Sequence, residues 1–178
     1  MVKDPKTALL VIDVQFGPMW GTYRKEETLG VIHQMIEKAI SEQIPIFYVQ
    51  HESQQGEPMA RGSQFWQFIE GITPRSSDVI IHKQATDAFY ETILQEELDR
   101  GGITHLVVVG AQTQFCVDTT CRAAISRGFQ VTLVEDGHTT VDGLLPAEQI
   151  INHHNHNLST VGTPKSRIQV VPSNKIVL

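Results

Sequence analysis

Six short apolar-rich runs, most of them nearly unbroken rather than alternating, constrain the fold of this chain most. They are Ala8 to Ile12, Pro45 to Val49, Val79 to Ile81, Leu106 to Val109, Phe129 to Val134 and Ile168 to Val171. A strand with one wet face alternates apolar and polar residues, whereas one that is apolar throughout is buried on both faces, as in a parallel sheet. Amphipathic stretches separate most of these runs. The first carries Leu29, Ile32, Met35, Ile36 and Ile40, and the second Phe89, Ile93, Leu94 and Leu98 ahead of Gly101 and Gly102. The third runs from Cys116 to Arg127 and closes at Gly128, and the fourth spans about Pro146 to Leu158. Glycine after the last turn and proline in the first are ordinary helix ends. This alternation predicts an α/β chain with a parallel sheet between two helical layers, a three-layer α/β/α arrangement.

The 178 residues fit one domain, taken here as 1–178, with no internal repeat and no composition shift. One stretch departs from the rhythm. From His51 to Ser77 the chain holds Gly56, Pro58, Gly62, Gly71 and Pro74, with Phe65, Trp66 and Phe68 among them. A long insertion in a compact domain is commonly functional, so residues 51–77 are expected to form a lid over the strand ends. The competing reading is a surface excursion whose aromatics dock on the core.

Chemistry-bearing residues stand at three strand ends. Asp13 closes the first run, His82 and Lys83 follow the third, and Cys116 follows the fourth where strand gives way to helix. Ligands of open parallel sheets bind outside the carboxyl ends of the strands, where the strand order reverses. A cysteine at a helix N-terminus sits beside unpaired N–H groups and the positive end of the dipole, which predicts a lowered pKa and a nucleophilic thiolate. The same N–H groups suit an oxyanion. A buried, inert thiol is the alternative for Cys116, and it is the expected state of Cys121.

A net charge of −6 with no basic stripe argues against a nucleic-acid partner, and no run approaches the roughly 20 apolar residues of a membrane span. MVKDPKTALLVIDVQ lacks the pattern of a signal peptide, which leads to an expected cytoplasmic location with reduced thiols. The C-x4-C spacing of Cys116 and Cys121 fits neither a zinc nor a thioredoxin motif. No GxGxxG follows the first strand, which removes the usual dinucleotide signature. Gln15, two positions after Asp13, stands where an aspartate-nucleophile phosphotransferase needs an acid.

LLVIDVQ with Asp13, HKQATDAFYET with Lys83 and VVVGAQTQFCVDTTCRAA with Cys116 occur in the order seen in one enzyme family. The chain resembles the isochorismatase-like cysteine hydrolases, which include nicotinamidases, and looks most like their metal-free, streptothricin hydrolase-like branch. The resemblance implies a six-stranded parallel sheet of order 3-2-1-4-5-6 and a homo-oligomer, a dimer or tetramer. It also implies a triad of Asp13 as base, Lys83 as electrostatic partner and Cys116 as nucleophile. A cis peptide between Ala111 and Gln112 would aim the Gln112 amide, with that of Cys116, at an oxyanion. The implied reaction is hydrolysis of a C–N bond in a small amide through a thioester.

Around that centre, Gln15, Phe16, His51, Trp66, Phe89 and Phe115 are expected to touch substrate; packing competes for Gln15, Phe16 and Phe89, a hydrogen-bonded rim position for His51, and a subunit interface for Trp66. Metal-dependent relatives carry Asp-x-His after the second strand. Here the sequence reads YVQHESQQGE, so no metal and no other cofactor is expected. The run INHHNHNL offers His153, His154 and His156 without the i, i+4 pair of a zinc helix, which favours a solvated helix surface. Two other functions remain open on the sequence. One is isochorismatase-type cleavage of a non-amide metabolite; the other is a silent, redox-sensing or scaffolding member of the family.

Overall fold

A computed structural model describes residues 6–178. Six parallel strands form one sheet in the order β3-β2-β1-β4-β5-β6. Strands β1 (Thr7–Ile12), β2 (Ile46–His51), β3 (Val79–Lys83), β4 (His105–Ala111), β5 (Gln130–Thr139) and β6 (Gln169–Val171) contain the apolar runs. Helices α1 (Lys25–Ser41), α2 (Leu94–Gly101), α3 (Asp118–Ser126) and α4 (Ala147–Thr160) connect them. Among the described residues, no helix is long and apolar enough to cross a membrane.

The unbroken strands divide their side chains between two cores, because successive residues point to opposite faces. Leu10, Ile12, Leu106 and Val108 join a layer with Leu94 and Leu98 of α2, Ala124 and Ile125 of α3, and Leu158 of α4. Leu9, Val11, Val107 and Val109 face the other way, against Leu29, Ile32 and Met35 of α1. Each such fully buried side chain stabilises the fold by about 1.5–3 kcal/mol, before the chain's entropy is counted. Cys121 lies fully buried in the first layer, and both cysteines are free.

The order reverses between β1 and β4, which pair in register from Thr7 opposite His105 to Ile12 opposite Gly110. The two backbones nearly touch there. A Cβ on Gly110 would sit 2.0 Å from the Ile12 carbonyl oxygen, and its φ of 132° lies where side chains are not tolerated. This close approach puts the residues just beyond both strands, Asp13 and the 112–116 turn, beside one another.

Two elements differ from their sequence reading. The second helix is shorter than its apolar pattern: it starts at Leu94, and Phe89 precedes it. Local side-chain bonds hold residues 87–94 in turns instead. Asp87 Oδ1 accepts from Phe89 N–H, Thr92 Oγ1 donates to Ala88 O, and Leu94 N–H donates to Thr92 Oγ1. Glu91, at φ 52°, is left-handed and cannot continue a helix. The helix expected from Cys116 is instead a five-residue π-helical turn, Thr113–Val117, followed by α3.

Candidate active site

Lys83 reaches from the end of β3 into the crevice beside β1 and is fully buried. Its ammonium lies 2.7 Å from Asp13 Oδ2, 2.9 Å from Ala85 O, 3.2 Å from Cys116 Sγ and 3.2 Å from His51 Nδ1. Four strand ends therefore converge on one nitrogen. Asp13 is 1% exposed and left-handed at φ 50°, and its N–H is tied to Val49 O. Its second oxygen, Oδ1, is buried without a hydrogen-bond partner. That oxygen is free to accept a proton.

Burial by itself lowers the Lys83 pKa. The Asp13 carboxylate and the neighbouring sulfur, through charge and hydrogen bonding, outweigh it, and the lysine pKa moves up. Cys116 moves the other way from its sequence reading. Burial first, and then the charge of Asp13, push the thiol up to about 12, against a smaller pull from Lys83. The dipole argument for a resting thiolate is opposed by the partial burial of the sulfur and by the carboxylate beside it, both of which disfavour the charged form. The resting site is a thiol beside a carboxylate and an ammonium.

The peptide Ala111–Gln112 is cis. Gln112 is anchored at both ends: its side-chain amide donates to Pro18 O at 2.9 Å, and its carbonyl accepts from Phe115 and Val117 N–H. Its own N–H has no acceptor among the described residues. The turn is further held from below by a chain of hydrogen bonds whose direction can be worked out. Asn155 Nδ2 donates to Glu135 O, so its Oδ1 must accept, and the partner is His138 Nε2 at 2.8 Å. His138 Nδ1 is then the acceptor, and Thr113 Oγ1 donates to it at 2.9 Å. Fully buried, His138 has its pKa pushed down to about 4 and is neutral. The useful residue in INHHNHNL is thus Asn155. His153 and His154 bond to Asn157 and to the Ile150 carbonyl of their own helix.

The residues expected around substrate fall into different places. His51 enters the cluster. Gln15 is fully buried and clamps β2 to β1: its amide donates to His51 O and Trp66 O, and its oxygen accepts from His51 N–H. This is a fastening, not a pocket wall. Phe16 packs into the α1 layer, on the side of Leu29, His33 and Ile69. Phe89 is buried against Phe129, with Arg127 over its ring, the packing that competes with its reading as a wall of the site. Trp66 stacks on His82, and its carbonyl takes hydrogen bonds from Gln15 and Gln50. Phe115, beside Cys116, is half exposed.

The insertion is irregular from Glu52 to Asp78, carrying only isolated bridges such as Gln15 with Phe68. Two polar cavities adjoin the cluster between it and the 84–91 turns. One, of about 390 Å³, includes Lys83, Ala85, His82 and Tyr90; the other, of about 240 Å³, includes His51 and Ser53. Both share Glu52 and Gln84.

Asp13, His51 and Cys116 also form the sort of trio that can ligate a metal, with donor atoms within 4.8 Å of one another. They do not fit one here. The Lys83 ammonium, in contact with all three, stands where the ion would be and already supplies the positive charge.

Residues 7–165 match the model of the isochorismatase domain. The chain belongs to the isochorismatase family. It is 30% identical over 122 residues to the secreted isochorismatase effector Isc1 of Verticillium dahliae, covering 67% of this chain and 64% of that protein. Against a streptothricin hydrolase of Streptomyces noursei the identity is 29% over 141 residues, covering 78% of this chain and 56% of the relative. The chain thus spans between half and two-thirds of the length of these curated relatives. An isochorismatase structure from Pseudomonas putida KT2440 superposes with a TM-score of 0.90 at 27% identity, covering 98% of this chain and 93% of that one. The sheet order expected from the family resemblance is the one observed.

Proposed function

We propose that this isochorismatase-family protein is a cysteine hydrolase that cleaves the C–N bond of a small amide. The observation that carries this reading is the buried ammonium of Lys83 held 2.7 Å from Asp13 and 3.2 Å from Cys116. A thiol with a raised pKa is a poor nucleophile unless its proton leaves as the bond forms, and Asp13 Oδ1 is the free acceptor beside it. In the first step Sγ bonds to the amide carbon while the thiol proton passes to Asp13. The oxyanion meets the Gln112 and Cys116 N–H groups. Asp13 then returns the proton to the nitrogen, the C–N bond breaks, and amine leaves a thioester. Water adds to that thioester with Asp13 again as base, the C–S bond breaks, and the acid departs as the thiol is restored. Lys83 stays charged throughout, balancing Asp13 when it is anionic and favouring the charge that builds on sulfur as its proton leaves.

The similarity to a streptothricin hydrolase supports hydrolysis. A cytoplasmic setting, action as a homo-oligomer, and a small molecule as the only partner complete the proposal. The test is a panel of small primary and secondary amides incubated with hydroxylamine, which captures a thioester as a hydroxamate. Hydroxamate and acid should form with the native protein and fall at least about 10³-fold with Cys116→Ala. Equal turnover by Cys116→Ala would overturn the nucleophile, and no turnover of any amide would favour the silent, scaffolding member of the family.

A further inference from the structure

The Lys83 ammonium has three protons and four acceptors within 3.2 Å: Asp13 Oδ2, Ala85 O, Cys116 Sγ and His51 Nδ1. One acceptor must always go without. Asp13 and Ala85 are the two short contacts, at 2.7 and 2.9 Å, and they take the first two protons in the resting site. The third proton is shared between two acceptors at the same distance, 3.2 Å. A neutral thiol is a weak acceptor and a neutral imidazole nitrogen a good one; a thiolate reverses the ranking.

We propose that His51 is a positioning residue that holds the third Lys83 proton while Cys116 is a thiol and releases it to Sγ when the thiolate forms. The role requires Nδ1 without a proton, hence the Nε2–H tautomer. It also requires a neutral ring. Burial, followed by the charge of Lys83, lowers the His51 pKa, opposed by Asp13, the Ala85 carbonyl and Glu52. Gln15 holds the residue in place by gripping its backbone N–H and C=O. His51 thereby makes the resting thiol more comfortable: it occupies a donor that would otherwise stabilise only the thiolate. This device deepens the hydrolase reading, yet its readout is the thiol itself and needs no substrate.

The test is the rate of Cys116 alkylation by iodoacetamide between pH 7 and 10, resolved by peptide. His51→Phe removes the acceptor and keeps the bulk, so the third proton is left to sulfur. Its rate should rise about tenfold at each pH, the equivalent of one unit off the thiol pKa. His51→Asn offers an acceptor oxygen at the position of Nδ1 and should return the native profile. An unchanged rate in His51→Phe, or an equal rise in both variants, overturns the proposal. Nitrogen-15 NMR of the native ring provides an arm independent of any variant's folding: an Nε2–H tautomer supports it, and an Nδ1–H tautomer facing Ala85 O sinks it. A native His51 result with no amide turnover would separate this device from the proposed reaction.

Discussion

A buried ion pair is revealing when one member is removed. Lys83→Met leaves the Asp13 carboxylate 1% exposed with no cation, and should destabilise the protein by about 3–5 kcal/mol in urea unfolding. Adding Asp13→Asn should recover most of that loss, because the charge needing compensation is gone. Full stability in Lys83→Met alone would mean that water or another cation reaches Asp13. At this scale the sequence was legible where a residue's position along the chain carries its role. Asp13, Lys83 and Cys116 could be picked out because each follows a strand. His51 follows one too, but its part depends on three partners 32 to 65 residues away in sequence, at Lys83, Asp13 and Cys116. The protonation of Cys116 was misread for a related reason: helix-end position is local information, whereas desolvation is set by everything packed around the sulfur.

Between elements, the crossing of β1 and β4 is the joint on which the site depends. Gly110→Ala would drive a Cβ into Ile12 O at 2.0 Å and force an alanine to φ 132°. We expect a loss of about 4 kcal/mol or more, read as a fall in thermal midpoint or as insoluble protein. A Gly110→Ala protein that melts like the native one would show that the two strands can separate freely. The six strands were visible in their apolar runs to within a few residues at each end, since such runs are themselves the record of burial on both faces. Phe89 was harder to place. Its spacing with Ile93 and Leu94 suits a helix, but Asp87 and Thr92 compete for the backbone and Glu91 breaks the turn.

For the molecule as a whole, one buried histidine, His138, and three less buried ones set a limit in acid. His51, His82, His105 and His138 all have lowered pKa values, each chiefly through burial. A histidine with a folded pKa below its unfolded 6.5 contributes fully above pH 6.5 and loses that contribution as pH falls through the folded value. Stability should therefore hold near neutrality and decline from about pH 6.5 towards 4. His138 alone, moved to about 4, accounts for about 3 kcal/mol of that decline. Urea midpoints measured from pH 8 to 4 check this, and His138→Gln should show a flatter curve. Equal slopes in the two proteins would mean that His138 titrates normally.

The sequence by itself determined the layers, the strands and the three residues proposed to react, because strand burial, helix ends and strand-end chemistry are written in neighbouring residues. Only the tertiary structure decided that partial burial raises the pKa of Cys116, that His51 touches Lys83, and that Gln15 and Phe89 are held by the bonds and packing around them. Nor could spacing reveal that Asn155 and His138 brace the turn before Cys116 from a different helix and strand. Those outcomes depend on which distant groups exclude water and compete for the same protons, and that competition exists only once the chain is packed.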